Sequence, residues 1–218
     1  MNVKNRYIYK LCSDENFWRE RTFQKFGKVE KNNNRDWKRF YLKIVYYNDK
    51  YDRNSEKILD ELSQRGTKDL DLINYFLQIY LNEIKKYKLV FGFVFEAAKY
   101  HNIDLVKYYL KIARKHFSEE EYEDILGHAA VGAAASGNKE LFKSMIAEGF
   151  DDFEYALHTA AKYGQLDMVK FLYSLGARNN RSVENYIALG VKQGYMTRER
   201  SREIVEFLDQ DILKRARR

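Results

Sequence analysis

The chain contains no proline and a single cysteine, Cys12, in 218 residues. Without proline no helix is broken by a missing amide donor, and disordered proline-rich linkers are excluded. One cysteine cannot form an internal disulfide, which points to a reducing compartment. No apolar run reaches the roughly 18 residues of a membrane-span candidate, and the polar N-terminus does not read as a signal peptide. The expected location is the cytoplasm or nucleus, not the secretory route, with no membrane partner. Histidine is scarce as well: His101, His116, His128 and His158 are the only four. None stands with Cys or a second His at a zinc-binding spacing, so no metal ligand is expected.

Aromatic residues, in contrast, are abundant at 16%, with 18 Tyr and 14 Phe, while 45% apolar and 33% charged residues suit a soluble helical protein. The length allows one or two domains with a substantial core. The net charge of +7 is unevenly placed: residues 1–50 carry 13 Lys/Arg against 6 Asp/Glu, and the last five residues hold four more cations. Basic ends of this kind could meet nucleic acid, although no groove-reading motif accompanies them.

One pattern recurs along the chain. Asp71, Asp104, Glu140, Asp167 and Glu203 each open an aliphatic and aromatic run, at spacings of 33, 36, 27 and 36 residues. Upstream of three of them lies a small-residue segment, holding Ala98, Ala134 and Ala161 at equivalent places. Alanine is expected where helix backbones approach, and the following run supplies one apolar face, as in Leu105, Tyr108 and Tyr109 or Met168, Phe171 and Leu172. One such unit cannot bury its face alone; stacked units can.

Residues 156–177 resemble one ankyrin repeat, because Leu157-His158, Ala160-Ala161, Gly164, the run from Asp167 to Leu172 and Gly176-Ala177 fall where that family places them. The resemblance implies an all-α, ankyrin-repeat-like solenoid of about five irregular repeats, near 51–88, 89–121, 122–153, 154–180 and 181–218. His158 then takes the family's structural histidine position. Several departures are visible. The usual Thr-Pro is Tyr155-Ala156; the 27-residue step leaves no room for a full hairpin finger before Tyr155. Ser118 with Glu121 reads as a capping box, so that junction is expected to be helical. Gly176 to Asn180 is the best finger candidate, and extra residues within Tyr195 to Arg202 are expected to separate the last two helices.

Residues 1–50 have a different composition and read as an N-terminal helical cap. Ser13 or Asp14 can start a helix that Gly27 stops in the left-handed conformation, Asn32 to Asn34 form a loop, and a second helix presents Trp37, Phe40, Tyr41 and Ile44 on one face. Leu11 to Trp18 and Trp37 to Tyr41 resemble the closing part of an F-box-like domain. Such segments precede ankyrin-type repeats in proteins of large DNA viruses, which the whole chain resembles. That likeness implies a host protein as partner and, alternatively, recruitment of a ubiquitin-ligase component.

Chemistry finds little support. Gly132 to Lys139 approaches a phosphate-binding loop, but Asn138 occupies the lysine position and no Ser or Thr follows. Glu119 to Glu121 and Asp151-Asp152 stand at a helix start and a turn, where acid is expected anyway. No catalytic residue and no cofactor site is assigned, and the chain reads as a non-enzymatic scaffold. Its partner-binding residues are expected on the concave face at Glu96, Lys99, Tyr100, Thr159, Lys162, Tyr163 and Lys192, with Arg178 and Asn179 at the finger. The alternatives are the ubiquitin-ligase adaptor and a nucleic-acid-associated protein using its basic ends.

Overall fold

The amphipathic stretches fold into helices throughout, and the computed structural model describes residues 12–27, 29, 31, 36–64, 69–83, 88–178 and 181–216. The chain divides into two compact units, residues 1–62 with 67–86, and residues 63–66 with 87–218.

In the first unit α1 (Glu15–Phe26) is capped by Asp14, whose carboxylate accepts the amides of Asn16 and Phe17 at 2.9 and 3.3 Å. Gly27 ends it at φ +80°, but with ψ −175° rather than the left-handed helical value. Helix α2 (Trp37–Lys50) buries Trp37, Phe40, Tyr41 and Ile44 on the one face their spacing marks. The Trp37 amide donates to Glu15, which fixes the start of α2 beside that of α1. Helix α3 (Ser55–Gln64), as far as Leu62, and helix α4 (Leu70–Glu83) complete the unit. Asp71, which the repeat spacing assigns to the first repeat, therefore lies in a helix of this unit. The reason is aromatic packing: Tyr75 of α4 meets Phe26 and Phe40 edge-on at 6.1 and 6.3 Å, and Phe76 meets Tyr47 at 6.3 Å. Burial pushes the Tyr75 phenol up to about 12. Residues 32–34 lie outside the described residues.

The second unit is an all-α repeat solenoid of helix pairs: α5 (Lys88–Lys99) with α6 (Ile103–His116), α7 (Glu119–Ser136) with α8 (Lys139–Ala147), α9 (Phe153–Lys162) with α10 (Leu166–Ser174), and α11 (Arg181–Lys192) with α12 (Arg198–Ala216). The first helices stack in the order α5, α7, α9, α11. Ala97, Ala98, Ala133, Ala134, Ala160 and Ala161 are all fully buried, because a longer side chain would hold the backbones apart. Two positions tolerate no side chain at all. A β-carbon on Gly132 would stand 2.4 Å from the Phe95 carbonyl oxygen, and one on Gly190 2.1 Å from that of Lys162.

Each pair turns in the same way. The amides of Asn102, Asn138, Gln165 and Tyr195 bond back to the carbonyls of Ala97, Ala133, Ala160 and Gly190 at 2.8 to 3.0 Å. The residue before each has positive φ: His101 at 59°, Gly137 at 72°, Gly164 at 72° and Gly194 at 74°. This bonding closes a helix C-terminus over a left-handed residue, and His101 occupies a place that glycine fills in the other pairs. The capping box at Ser118 is present, with the Glu121 amide donating to Ser118 at 3.3 Å and the Ser118 amide to Glu121 at 2.9 Å. Between α8 and α9 a tight turn at Gly149 replaces a finger. The extra residues after Tyr195 do not form a separating loop, since α12 is already helical from Arg198 and absorbs them as a first turn.

Candidate functional site

The C-terminal ends of the first helices carry the residues that the repeat alignment singles out. Lys99 ends α5 and Tyr100 follows it, Ala135 and Ser136 occupy those places on α7, and Lys162 ends α9 with Tyr163 following. Because Ala135 and Ser136 are small, the side chains of α5 reach across α7 to those of α9. The Lys99 ammonium lies 5.1 Å from the Tyr100 ring centre and 5.5 Å from that of Tyr163, while pairing with Glu96 at 3.3 Å. Tyr163 stacks on Tyr195 at 4.5 Å and 22°. The Lys162 ammonium lies over both, 5.8 Å from Tyr163 and 5.3 Å from Tyr195. The result is a ladder of alternating cations and rings crossing successive repeats. Each ammonium–ring contact is worth about 0.5–1 kcal/mol at such an exposed site.

The ladder has a half-buried rung and open flanks. Burial, with the nearby Tyr195, Glu96 and Tyr100, pushes the Tyr163 phenol up to about 12, so it stays a neutral hydroxyl. Tyr100 and Tyr195 remain 46% and 43% exposed and frame the surface. Ser136 donates its hydroxyl to the Ala98 carbonyl at 3.2 Å, tying α7 to α5 beneath the rings. Gln165 similarly donates to the Ala135 carbonyl at 3.1 Å, tying the next pair to α7.

The expected surface set is only partly brought together. Glu96, Lys99, Tyr100, Lys162 and Tyr163 meet in the ladder. Thr159 does not offer a surface contact: it is 7% exposed, because its place on α9 faces the stack and not solvent. Arg178 is exposed, but its guanidinium turns back to the carbonyls of Ala177 and Tyr173 at 2.8 and 3.4 Å. Lys192 is exposed at the end of α11, and Asn179 lies outside the described residues. Tyr195 was not among the expected residues. Its signal was an aromatic ring at the position where other pairs place the helix-capping Asn102, Asn138 or Gln165.

The remaining features settle into structural roles. Gly132 to Ser136 are helical and packed within α7, so they form no phosphate-cradling loop. His158 stacks on Tyr186 at 4.9 Å, and His128 on Phe91 at 4.8 Å, in both cases joining neighbouring first helices. His101 is exposed, with Nδ1 3.4 Å from the Asn138 amide nitrogen. Among the described residues no group of three or more His, Cys, Asp or Glu is placed to hold a metal ion, and no helix is long and apolar enough to cross a membrane. Glu119, Glu123, Asp124 and Asp151 line a cleft of about 470 Å³ at the opposite end of the first helices.

A stack of helix pairs with alanine inside defines a helical repeat protein. Residues 94–183 match the family model for ankyrin repeats (3 copies), repeats that mediate protein–protein interaction. No curated protein and no solved structure gives a significant match to the chain.

Proposed function

We propose that the chain is a non-enzymatic scaffold that captures a host protein partner on the ladder of Lys99, Tyr100, Lys162, Tyr163 and Tyr195. The supporting observation is the ordering of two ammonium groups over three rings, from α5 across α7 to α9 and the turn after α11, before any partner arrives. Side chains already held in place lose little freedom on binding, and tyrosine supplies contact area with a polar tip. Replacing Lys99, Tyr100, Lys162 and Tyr163 together by alanine should abolish partner capture from host-cell extract with helical content unchanged. Capture that survives the replacement moves the site elsewhere. The cytoplasm or nucleus of a host cell is the location proposed with it, supported by the single cysteine and the reducing compartment that suggests.

A second reading assigns the first unit to a ubiquitin-ligase adaptor, in keeping with its F-box-like resemblance. It is favoured by Leu42 and Tyr46, one turn apart on α2 and 50% and 53% exposed beside Lys38 and Arg39. Co-purification with a cullin linker subunit, lost in Leu42→Asp, is its test; no linker subunit in the capture removes it.

A further inference from the structure

The second helices of the solenoid carry a different surface. Lys107, Lys111 and Arg114 follow one another at the spacings that share a helix face on α6. They form one wall of a groove of about 350 Å³ whose floor is Leu110, Met145 and Tyr122, all buried, and whose far wall is Ser144 of α8 and Glu148 at its C-terminal end. One end is closed by a clamp joining three helices. Arg114 pairs with Glu148, the Tyr122 hydroxyl donates to the same carboxylate at 2.9 Å, and the Arg114 guanidinium lies 4.8 Å from the Tyr122 ring centre. Glu148 is thereby committed. Lys107 and Lys111 are exposed and make no ion pair among the described residues.

We infer that this groove docks a short acidic segment of a protein partner, one carrying an aliphatic side chain. Charge complementarity selects the occupant. Two ammonium groups with no ion pair among the described residues line a groove with an apolar floor, so carboxylates meet Lys107 and Lys111 while an aliphatic side chain lies along the lysine stems above Leu110 and Met145. A nucleic-acid strand fits less well, since base stacking needs an open ring face and the Tyr122 face is already covered by Arg114. The site is separate from the ladder and stands or falls independently of it.

The test is fluorescence anisotropy of the full chain with a labelled peptide of Glu-Glu-Leu repeats. Saturable binding is expected, weakening as salt rises, and weakening about tenfold or more in Lys107→Glu/Lys111→Glu. A Glu-Glu-Ser peptide should bind more weakly, and Lys99→Ala/Lys162→Ala should leave the affinity unchanged. Lys107→Ala/Lys111→Ala, with circular dichroism matching the parent, covers the case in which charge reversal disturbs α6. The inference is overturned if no saturable binding occurs, if both lysine variants bind as the parent does, or if the ladder variant abolishes binding.

Discussion

Gly132 and Gly92 are both helical glycines, yet alanine should act on them in opposite directions. At Gly92 of α5 an added β-carbon meets nothing within 4 Å, so Gly92→Ala gains only the helical preference of alanine, about 0.5–1 kcal/mol. At Gly132 of α7 the same carbon would stand 2.4 Å from the Phe95 carbonyl oxygen and 2.8 Å from the Ala98 β-carbon. Neither obstacle can swing aside, one being backbone and the other the first atom of its side chain. Ordinary contact starts near 3.4 Å, so α5 and α7 must separate by roughly 1 Å in a layer packed on alanine. Overpacking of this kind costs about 1–3 kcal/mol or more, and the helical gain offsets only part of it. At about 2–4 °C per kcal/mol for a chain of this size, Gly132→Ala should melt several degrees below the parent and Gly92→Ala slightly above it. Thermal and urea unfolding followed by circular dichroism read both. Equal stability of the two variants would refute the close approach of α5 and α7.

Three smaller changes probe other parts of the structure. Ser118→Ala removes the hydroxyl that accepts the Glu121 amide but keeps the backbone amide that donates to Glu121, and should cost about 1 kcal/mol in urea unfolding without affecting partner capture. Burial holds the His128 imidazole below its usual value, Asp124 opposing in part, so the unfolded chain takes up the proton first as pH falls. Its contribution to stability is thus full above about pH 6.5 and lost as pH falls through the folded-state value. His128→Phe should reduce the drop in urea midpoint between neutral and mildly acidic pH; an identical drop contradicts the assignment. Tyr195→Ala opens the stack and removes a neighbouring phenol, so the Tyr163 hydroxyl, followed by carbon-13 NMR, should titrate nearer to 10 than to 12.

Sequence pattern revealed the parts of this fold that depend on close approach. Alanine at Ala98, Ala134 and Ala161 marks the first-helix layer because no larger side chain fits there. Glycine at Gly137 and Gly164 marks the turn because left-handed backbone favours it, and His101 could be placed there by phase alone. The N-terminal helices were readable for a similar reason: Trp37, Phe40, Tyr41 and Ile44 form too wide an apolar stripe to leave exposed. What escaped were relations between units of the pattern. Thr159 shares its register with the exposed-looking Glu96, but α9 turns it into the stack. The ladder depends on small residues at Ala135 and Ser136, a gap whose meaning appears only when Lys99 is seen to reach Tyr163 across it. Tyr195 replaces a capping residue, and nothing in its local sequence links it to Tyr163. Asp71 follows the repeat period, yet aromatic contacts made by Tyr75 and Phe76 hold its helix in the first unit.

The ladder as a protein-docking surface is tested most directly by photocrosslinking. A benzophenone amino acid placed at Tyr100, on the exposed flank of the ladder, should join the chain to one discrete host protein. The same group at Val205, an exposed apolar position on α12, serves as the control and should give no such product. A single adduct from position 100 alone, lost when Lys162 and Tyr163 are replaced by alanine, is the expected result. An adduct from position 205 with none from position 100 would contradict it.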